Sequence, residues 1–348
     1  MHPVVAEDLA DIATCPLDWG RFRRKTVLVA GANGFLPAYM VETLLLLNTV
    51  AGMDCHVICL VRNLAKARTR FAEYAGRSDL SFVVADVAEG IPVRRRCDFI
   101  IHAASPASPK SFGADPVGTM AANLQGTSRL LNLARAWGSG GFLLFSSGEV
   151  YGQVPPDKVP TRESDYGYLD ILNPRSCYAE SKRAAETLVA SYARQFQVPG
   201  VIVRPFHTYG PGMALDDGRV FADLVRDLVH RRNITLHSDG KAVRAFCYLS
   251  DGVRAFFTIL LKGQPGQAYN AGNPAAACSI GELADTLVTL FPEWNLRVER
   301  SGNPTAGYMP SPISISMPNV DRLTALGWQA RYSVREGFAR TLRYYTKR

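Results

Sequence analysis

The chain has 348 residues, 47% hydrophobic and 20% charged, a balance that excludes a disordered or fibrous protein and supplies apolar mass for one large core or two smaller ones. The net charge of +8 is spread over short groups such as "RFRRK", "VRRRC" and "HRRN"; without one dense run it disfavours nucleic acid as a partner and favours small anionic ligands. Seven dispersed cysteines, with no CxxC pair and no His/Cys group at zinc spacing, argue against a disulfide framework or a structural metal and fit a reducing compartment.

In chain order, "MHPVVAEDLADIATCPLDWGRFRRK" carries acidic residues where a secretory signal is basic. Apolar runs such as "ETLLLLNTV" fall short of the ~20 residues that span a bilayer, so a cytoplasmic protein with no membrane partner is expected. From residue 25, β-branched runs alternate with amphipathic stretches: "TVLVAG", then "PAYMVETLLLLNTV" as a helix, then "HVICLV", "LSFVVADV", "DFIIHAAS", "GFLLFSS" and "VIVRPF". Strands this apolar are buried on both faces, which predicts an α/β fold with a Rossmann-like, doubly wound parallel sheet. After residue 208 the alternation breaks, with a return strand near "AYNAGN", and a smaller C-terminal substrate-binding lobe is expected. The expected boundaries are an N-terminal extension at 1–24, packed on the main domain or at a subunit contact, a dinucleotide-binding domain at 25–207 and 237–275, and the lobe at 208–236 and 276–348.

"VLVAGANGF" places Gly31 and Gly34 as the first two glycines of a GxxGxxG turn, with Pro37 in the third place. Gly31 and Gly34 supply the tight turn and the close approach to a pyrophosphate. If the helix starts near Phe35, Pro37 falls in its first turn, where no backbone N–H has an intrahelical acceptor. Arg62 follows the second strand where an acidic residue would hold the ribose of NAD, so NADP is admitted beside NAD; a solvated surface arginine is the other reading. Asp86 reads as a contact to adenine or as a helix N-cap. "HAAS" places the small residues Ala103, Ala104 and Ser105 beside the cofactor.

Tyr178 and Lys182 stand four apart in "RSCYAESKR" and share one helix face. An ammonium there lowers the phenol's pKa and holds the nicotinamide ribose, so that Tyr178 accepts a hydroxyl proton as hydride leaves carbon. Ser147, at a strand end, is placed to hydrogen-bond the substrate hydroxyl and Tyr178. Glu149 points at the next sugar carbon or is an exposed loop carboxylate.

"GANGF", "SSGEVYG" and YxxxK in this order resemble the extended short-chain dehydrogenase/reductases of the NAD-dependent epimerase/dehydratase family, which act on nucleotide sugars. "IIHAASPASP", "RSCYAESKR", "GPGMALDDGRVFADLV", "AVRAFCYLSDGV" and "YNAGNP" resemble one branch, the UDP-glucuronic acid decarboxylases. The resemblance implies Ser147, Glu149, Tyr178 and Lys182 as the catalytic set. It implies cofactor contacts at Gly31, Asn33, Gly34, Phe35, Leu36, Arg62, Asp86, Val87, Ala103, Ala104, Ser105, Asn123, Tyr178, Lys182, Pro205 and His207. Substrate contacts are implied at Ser105, Ser147, Glu149, Arg175, His207, Arg219, Val220 and Arg244, the arginines facing diphosphate or sugar. The implied reaction is redox-neutral: oxidation at C4 of UDP-glucuronate, loss of CO2 from the β-keto acid, and return of the hydride to give UDP-xylose. A 4-epimerase or 4,6-dehydratase uses the same residues; a non-catalytic dinucleotide-binding regulator needs none of them. Gly148 stands where the dehydratases carry an acid, His207 where asparagine is usual, and "SISMPN" where basic residues often occur. A homodimer through the helices around "VGTMAANLQGTSRLLNLARAW" and "SCYAESKRAAETLVASYARQF" is implied as well.

Overall fold

The computed structural model describes residues 1–301 and 313–346, so 302–312 and 347–348 of the expected lobe lie outside the described residues. Seven parallel strands form the main sheet in the order β11-β6-β5-β4-β1-β2-β3. They are β1 (Thr26–Ala30), β2 (His56–Val61), β3 (Leu80–Val84), β4 (Phe99–His102), β5 (Gly141–Phe145), β6 (Gly200–Pro205) and β11 (Ala268–Ala271). The order reverses between β1 and β4, which opens a crevice at the carboxyl ends of those strands. This is the predicted Rossmann-like fold.

In β1, Val27 and Val29 enter one core and Leu28 and Ala30 the other, all four fully buried. Burial of each such Val or Leu side chain contributes about 1.5–3 kcal/mol, which is why a strand with no polar face is stable here. On one face pack α1 (Pro3–Ala13), α2 (Phe35–Ala51) and α8 (Leu249–Lys262); on the other pack α5 (Pro116–Trp137) and α6 (Ser176–Phe196). The ends of α5 follow from its sequence: Asp115 caps it by accepting from Gly118 N at 2.9 Å, Pro116 fills the first turn, and Gly138 closes it at φ 59°. Two further helices are short: α3 (Leu64–Arg70), whose Ala67 joins the core of α1, α2 and α8, and α4 (Pro109–Ala114), which packs on α5.

A second core holds Tyr209, Phe221, Leu224, Phe246, Leu283 and Phe338. Its helices are α7 (Val220–Val229), α9 (Ile280–Val288) and α11 (Val334–Thr346), with α10 (Asp321–Ala325) beside β11. Its strands are short and pair over long sequence separations: β7 (Thr208–Tyr209) with β10 (Cys247–Tyr248), β8 (Ile234–Leu236) with β13 (Val298–Arg300), and β9 (Val243–Ala245) between β12 (Ala277–Ser279) and β14 (Ile315–Ser316).

The N-terminal residues join this architecture through α1. Leu9 and Ile12 are fully buried against the sheet-side core. Asp8, also fully buried, accepts from Tyr248 Oη at 2.8 Å, Tyr39 Oη at 3.3 Å and Arg340 Nη2 at 2.8 Å. One carboxylate thereby ties α1 to α2, α8 and α11.

Candidate active site

The glycine turn leads directly into α2. Gly34 is the N-cap, Phe35 begins the helix, and Ala38 N makes the first helical bond to Gly34 O at 3.1 Å. Pro37 is therefore the third helical residue, where a missing N–H leaves no hydrogen bond unmade. Gly34 brings no capping side chain, so the first-turn amides of Phe35 and Leu36 remain directed toward an incoming anion. Gly31 has φ 78°, and a Cβ on it would lie 2.8 Å from Ala104 Cα and N and 2.9 Å from Ala103 O. Only glycine fits where these two strand ends meet. A cradle of this shape fits the pyrophosphate of a dinucleotide.

The remaining expected cofactor contacts ring the same crevice. Ala103 N donates to Ala30 O at 3.0 Å, joining the ends of β4 and β1, and Ser105 lies two residues on, half-buried. Asn33 lies within the turn, half-buried. Arg62, at the end of β2, and Asp86, beyond β3, face each other at 3.7 Å. Arg62 is 70% exposed, so it has not been committed to the fold, whereas Asp86 also accepts from Ala88 N at 2.8 Å as a turn cap. Val87 is buried and packs toward Gly126 of α5. Asn123 is fully buried, donates to Ser181 Oγ at 2.9 Å, and has an Oδ1 without a partner. Pro205 ends β6 opposite Ala271.

Ser147 and Glu149 stand where β5 breaks into a single 3-10 turn, and Ser147 Oγ accepts from Glu149 N at 3.1 Å. Tyr178 and Lys182 project from the first turns of α6. Tyr178 is buried and stacks on Phe112 at 5.2 Å between ring centroids. Burial pushes its phenol up to about 12; Glu149 nearby also raises it, while the Ser147 hydroxyl and the Arg219 guanidinium lower it. Lys182 donates to Phe145 O at 2.6 Å, with its Nζ 5.8 Å from the Tyr178 ring centroid. Desolvation brings Lys182 down to about 7. The expected help from ammonium to phenol thus takes another form in this structure. Lys182 is tethered to the β5 backbone, and the opposition to phenol burial comes from Ser147 and Arg219.

The far wall comes from the second core. Arg219 caps the start of α7 next to Val220 and pairs with Asp217 at 3.1 Å. Arg244 is buried, and its guanidinium donates to the carbonyls of Val243 at 2.8 Å, Ile313 at 2.8 Å and Ser314 at 3.2 Å. His207 has φ 28° and shares a hydrogen bond with Ser316 Oγ at 3.0 Å through Nε2. Burial first, then Arg244 and Arg219, hold His207 near 3, so it is a neutral ring at physiological pH. The structure therefore brings Ser147, Glu149, Tyr178, Arg219, His207 and Arg244 around one cleft. Arg175 stands at the head of α6, half-buried, three residues before Tyr178.

Gly148 has a steric reason. A Cβ there would lie 3.0 Å from Phe206 Cε1 and 3.1 Å from Cζ, so an acidic side chain requires Phe206 to move. Sequence reasoning missed Phe112 under Tyr178, and the buried Glu186, whose spacing one turn beyond Lys182 was the available signal. Among the described residues no group of His, Cys, Asp or Glu could hold a metal, and no helix is long and apolar enough to cross a membrane.

UDP-glucuronic acid decarboxylase 1 of Xenopus tropicalis is 31% identical over 93% of this chain and 73% of its own length. UDP-glucuronic acid decarboxylase 3 of Arabidopsis thaliana is 33% identical over 89% of this chain and 86% of its own. The crystal structure of UDP-glucuronic acid 4-epimerase from Bacillus cereus, in complex with UDP-glucuronic acid and NAD, superposes with a TM-score of 0.76 over 92% of this chain and 99% of that one, at 21% identity, and shows the shared fold. With residues 27–272 matching its defining profile, the chain belongs to the NAD dependent epimerase/dehydratase family.

Proposed function

We propose that the chain is a nucleotide-sugar decarboxylase that converts UDP-glucuronic acid to UDP-xylose and CO2 with bound NAD. The observation that carries this reading is Gly148: packed against Phe206, it puts no acid at the position where dehydratases carry the one that protonates the departing hydroxyl, which argues against dehydration, and the two curated relatives named above are decarboxylases. The residues that would hold NAD are Gly31, Gly34 and the amides of Phe35 and Leu36 at the pyrophosphate, with Arg62 and Asp86 at the adenosine end. When bound, it supplies a reversible acceptor for the hydrogen at C4 of the sugar.

The chain's own side chains do the rest. Arg219 and Arg244 hold the diphosphate; three carbonyls pre-position the Arg244 guanidinium, so little side-chain entropy is lost when an anion arrives. Ser147 hydrogen-bonds the C4 hydroxyl, and Tyr178, which must first release its own proton to solvent, takes the hydroxyl proton as the phenolate. Glu149 orients the neighbouring sugar carbons. With a ketone β to the carboxylate, the C5–C6 bond breaks, CO2 leaves, and its electron pair delocalises into the ketone as an enolate. Protonation at C5 and restoration of the C4 hydroxyl, with Tyr178 giving back its proton, complete a cycle with no net redox change.

Mass spectrometry after incubation with UDP-glucuronic acid and NAD tests the reading. Loss of the mass of CO2 is expected; an unchanged mass, with only starting sugar by NMR, would refute it. A 4-epimerase is the second reading, favoured by the Ser147, Tyr178 and Lys182 set that it uses equally; it changes the NMR spectrum without changing the mass.

We further infer a homodimer through α5 and α6, supported by Val117 and Met120 of α5, which are 77% and 38% exposed. Light scattering that finds only monomer would overturn it. The extension at 1–24 and the two-part division at 25–207 with 237–275 and at 208–236 with 276–348 are offered as the domain assignment, supported by the separate core of Phe221, Leu224, Leu283 and Phe338, which Phe246 and Tyr248 join from 237–275.

A further inference from the structure

Behind the catalytic side chains lies a buried polar cluster that the reaction above does not use. Glu186 stands on α6 one turn beyond Lys182 and is 8% exposed. Its Oε1 accepts from Ser146 Oγ at 2.5 Å and Arg204 Nε at 2.9 Å, and its Oε2 from Arg204 Nη2 at 2.6 Å. Arg204, from β6, is 1% exposed. Its other N–H groups reach Tyr151 Oη at 2.7 Å, Glu163 O at 2.9 Å and Tyr166 Oη at 2.9 Å. All five guanidinium donors are satisfied, so the pair is rigid and its charges are fixed in place.

Two partners of this cluster, Ser146 and Tyr151, border the catalytic machinery. Ser146 directly precedes Ser147, and Tyr151 closes the 3-10 turn that carries Glu149. Tyr151 itself donates to Asn270 Oδ1 of β11 at 2.5 Å. Lys182, on the same helix as Glu186, donates to Phe145 O, so residues 145 and 146 are gripped from behind by a cation and an anion one turn apart. The groups facing Lys182 are Glu186 and Tyr178 from α6, the Phe145 carbonyl from β5, and His102 from β4, which burial keeps neutral. Glu186 thus supplies the negative charge that opposes the desolvation of Lys182.

We propose that Glu186, clamped by Arg204, is a positioning residue of the active site: it fixes the Ser146–Ser147 strand end and serves as the counter-charge of Lys182. It touches neither cofactor nor substrate and acts through these two neighbours. The proposal deepens the enzymatic reading and rests on it for the role of Lys182, but its electrostatic part can be read without substrate.

The test uses the full chain and the variants Glu186→Gln, Glu186→Asp and the paired Glu186→Gln/Arg204→Met, which removes both charges if the single change fails to fold. Selective 13Cε labelling of lysine, with Lys182→Met for assignment, follows Lys182 through a pH titration of the cofactor-free protein. The expected result is a Lys182 midpoint lowered by half a pH unit or more in Glu186→Gln, returned at least halfway in Glu186→Asp, and lowered by a smaller interval in the paired variant, where loss of the Arg204 charge offsets part of the change. In turnover, the alkaline limb of kcat, where the ammonium is lost, moves to lower pH by a similar interval. An unmoved midpoint, with kcat reduced equally at every pH, would overturn the proposal and leave Glu186 a purely structural residue. Because the titration needs no sugar, failure of the decarboxylase reading leaves this outcome legible.

Discussion

Tyr178 is buried against Phe112, and its phenol is held up near 12 by lost solvation, so it keeps its proton at neutral pH in the chain alone. Tyr178→Phe removes one oxygen and leaves the stack, so it should reduce kcat by about 10²–10⁴-fold with an unchanged melting temperature. Steady-state kinetics beside thermal denaturation checks both halves. Lys182 makes a prediction about stability. Its folded pKa is depressed to about 7 from 10.5, so between those values the unfolded chain binds the extra proton and stability rises with pH. Relative to Lys182→Met, the cofactor-free protein should gain up to ~1.4 kcal/mol per pH unit between pH 7.5 and pH 9.5, about the middle of that window, as measured by urea denaturation. Much of the site was legible in the sequence because its motifs are local: YxxxK is one helical turn, and "SSGE" is one strand end. What was not legible is held by partners distant in sequence. Glu186 meets Arg204 across 18 positions, and His207 meets Ser316 across 109, and no local pattern announces either contact.

The apolar strands were the easiest to read, since β1 and β5 are fully buried runs that admit no polar face; β3, at the sheet edge, is only half-buried with Val84 51% exposed, so the burial on both faces expected of it is not found. The strands of the second core escaped notice because β7, β10 and β14 have only two residues each, and their existence depends on partners rather than on pattern. The glycine turn shows how far a motif can depart and still serve. Pro37 occupies a position whose N–H has no helical acceptor, so Pro37→Ala should leave NAD retention through purification within twofold of the parent. Gly31→Ala places a Cβ 2.8 Å from the Ala104 backbone at φ 78°, and should cost at least tenfold in NAD affinity, measured by calorimetry. Equal retention in both variants would mean that the turn does not hold the cofactor.

At the scale of the whole molecule, the N-terminal helix is a brace. Asp8 joins Tyr39 on the cofactor helix, Tyr248 at the head of α8 and Arg340 on α11, and burial raises its pKa from 3.8 to about 6 although Arg340 opposes the shift. With the folded value raised, the protonated carboxyl favours the fold, and that contribution is lost as pH rises through about 6. Arg340→Leu should therefore destabilise the protein by about 3–5 kcal/mol at neutral pH, and by less near pH 5, where Asp8 takes up a proton. Asp8→Asn added to Arg340→Leu should recover part of the loss in urea titrations. The proposed chemistry begins and ends at one sugar carbon. UDP-glucuronic acid carrying deuterium at C4 and 13C at C6, followed by NMR and mass spectrometry, tests it most directly. The expected result is 13C leaving as carbon dioxide and a UDP-pentose that keeps its deuterium, with the added NAD recovered in its oxidised form. Retention of 13C in the sugar, or a pentose that has lost its deuterium, would contradict it.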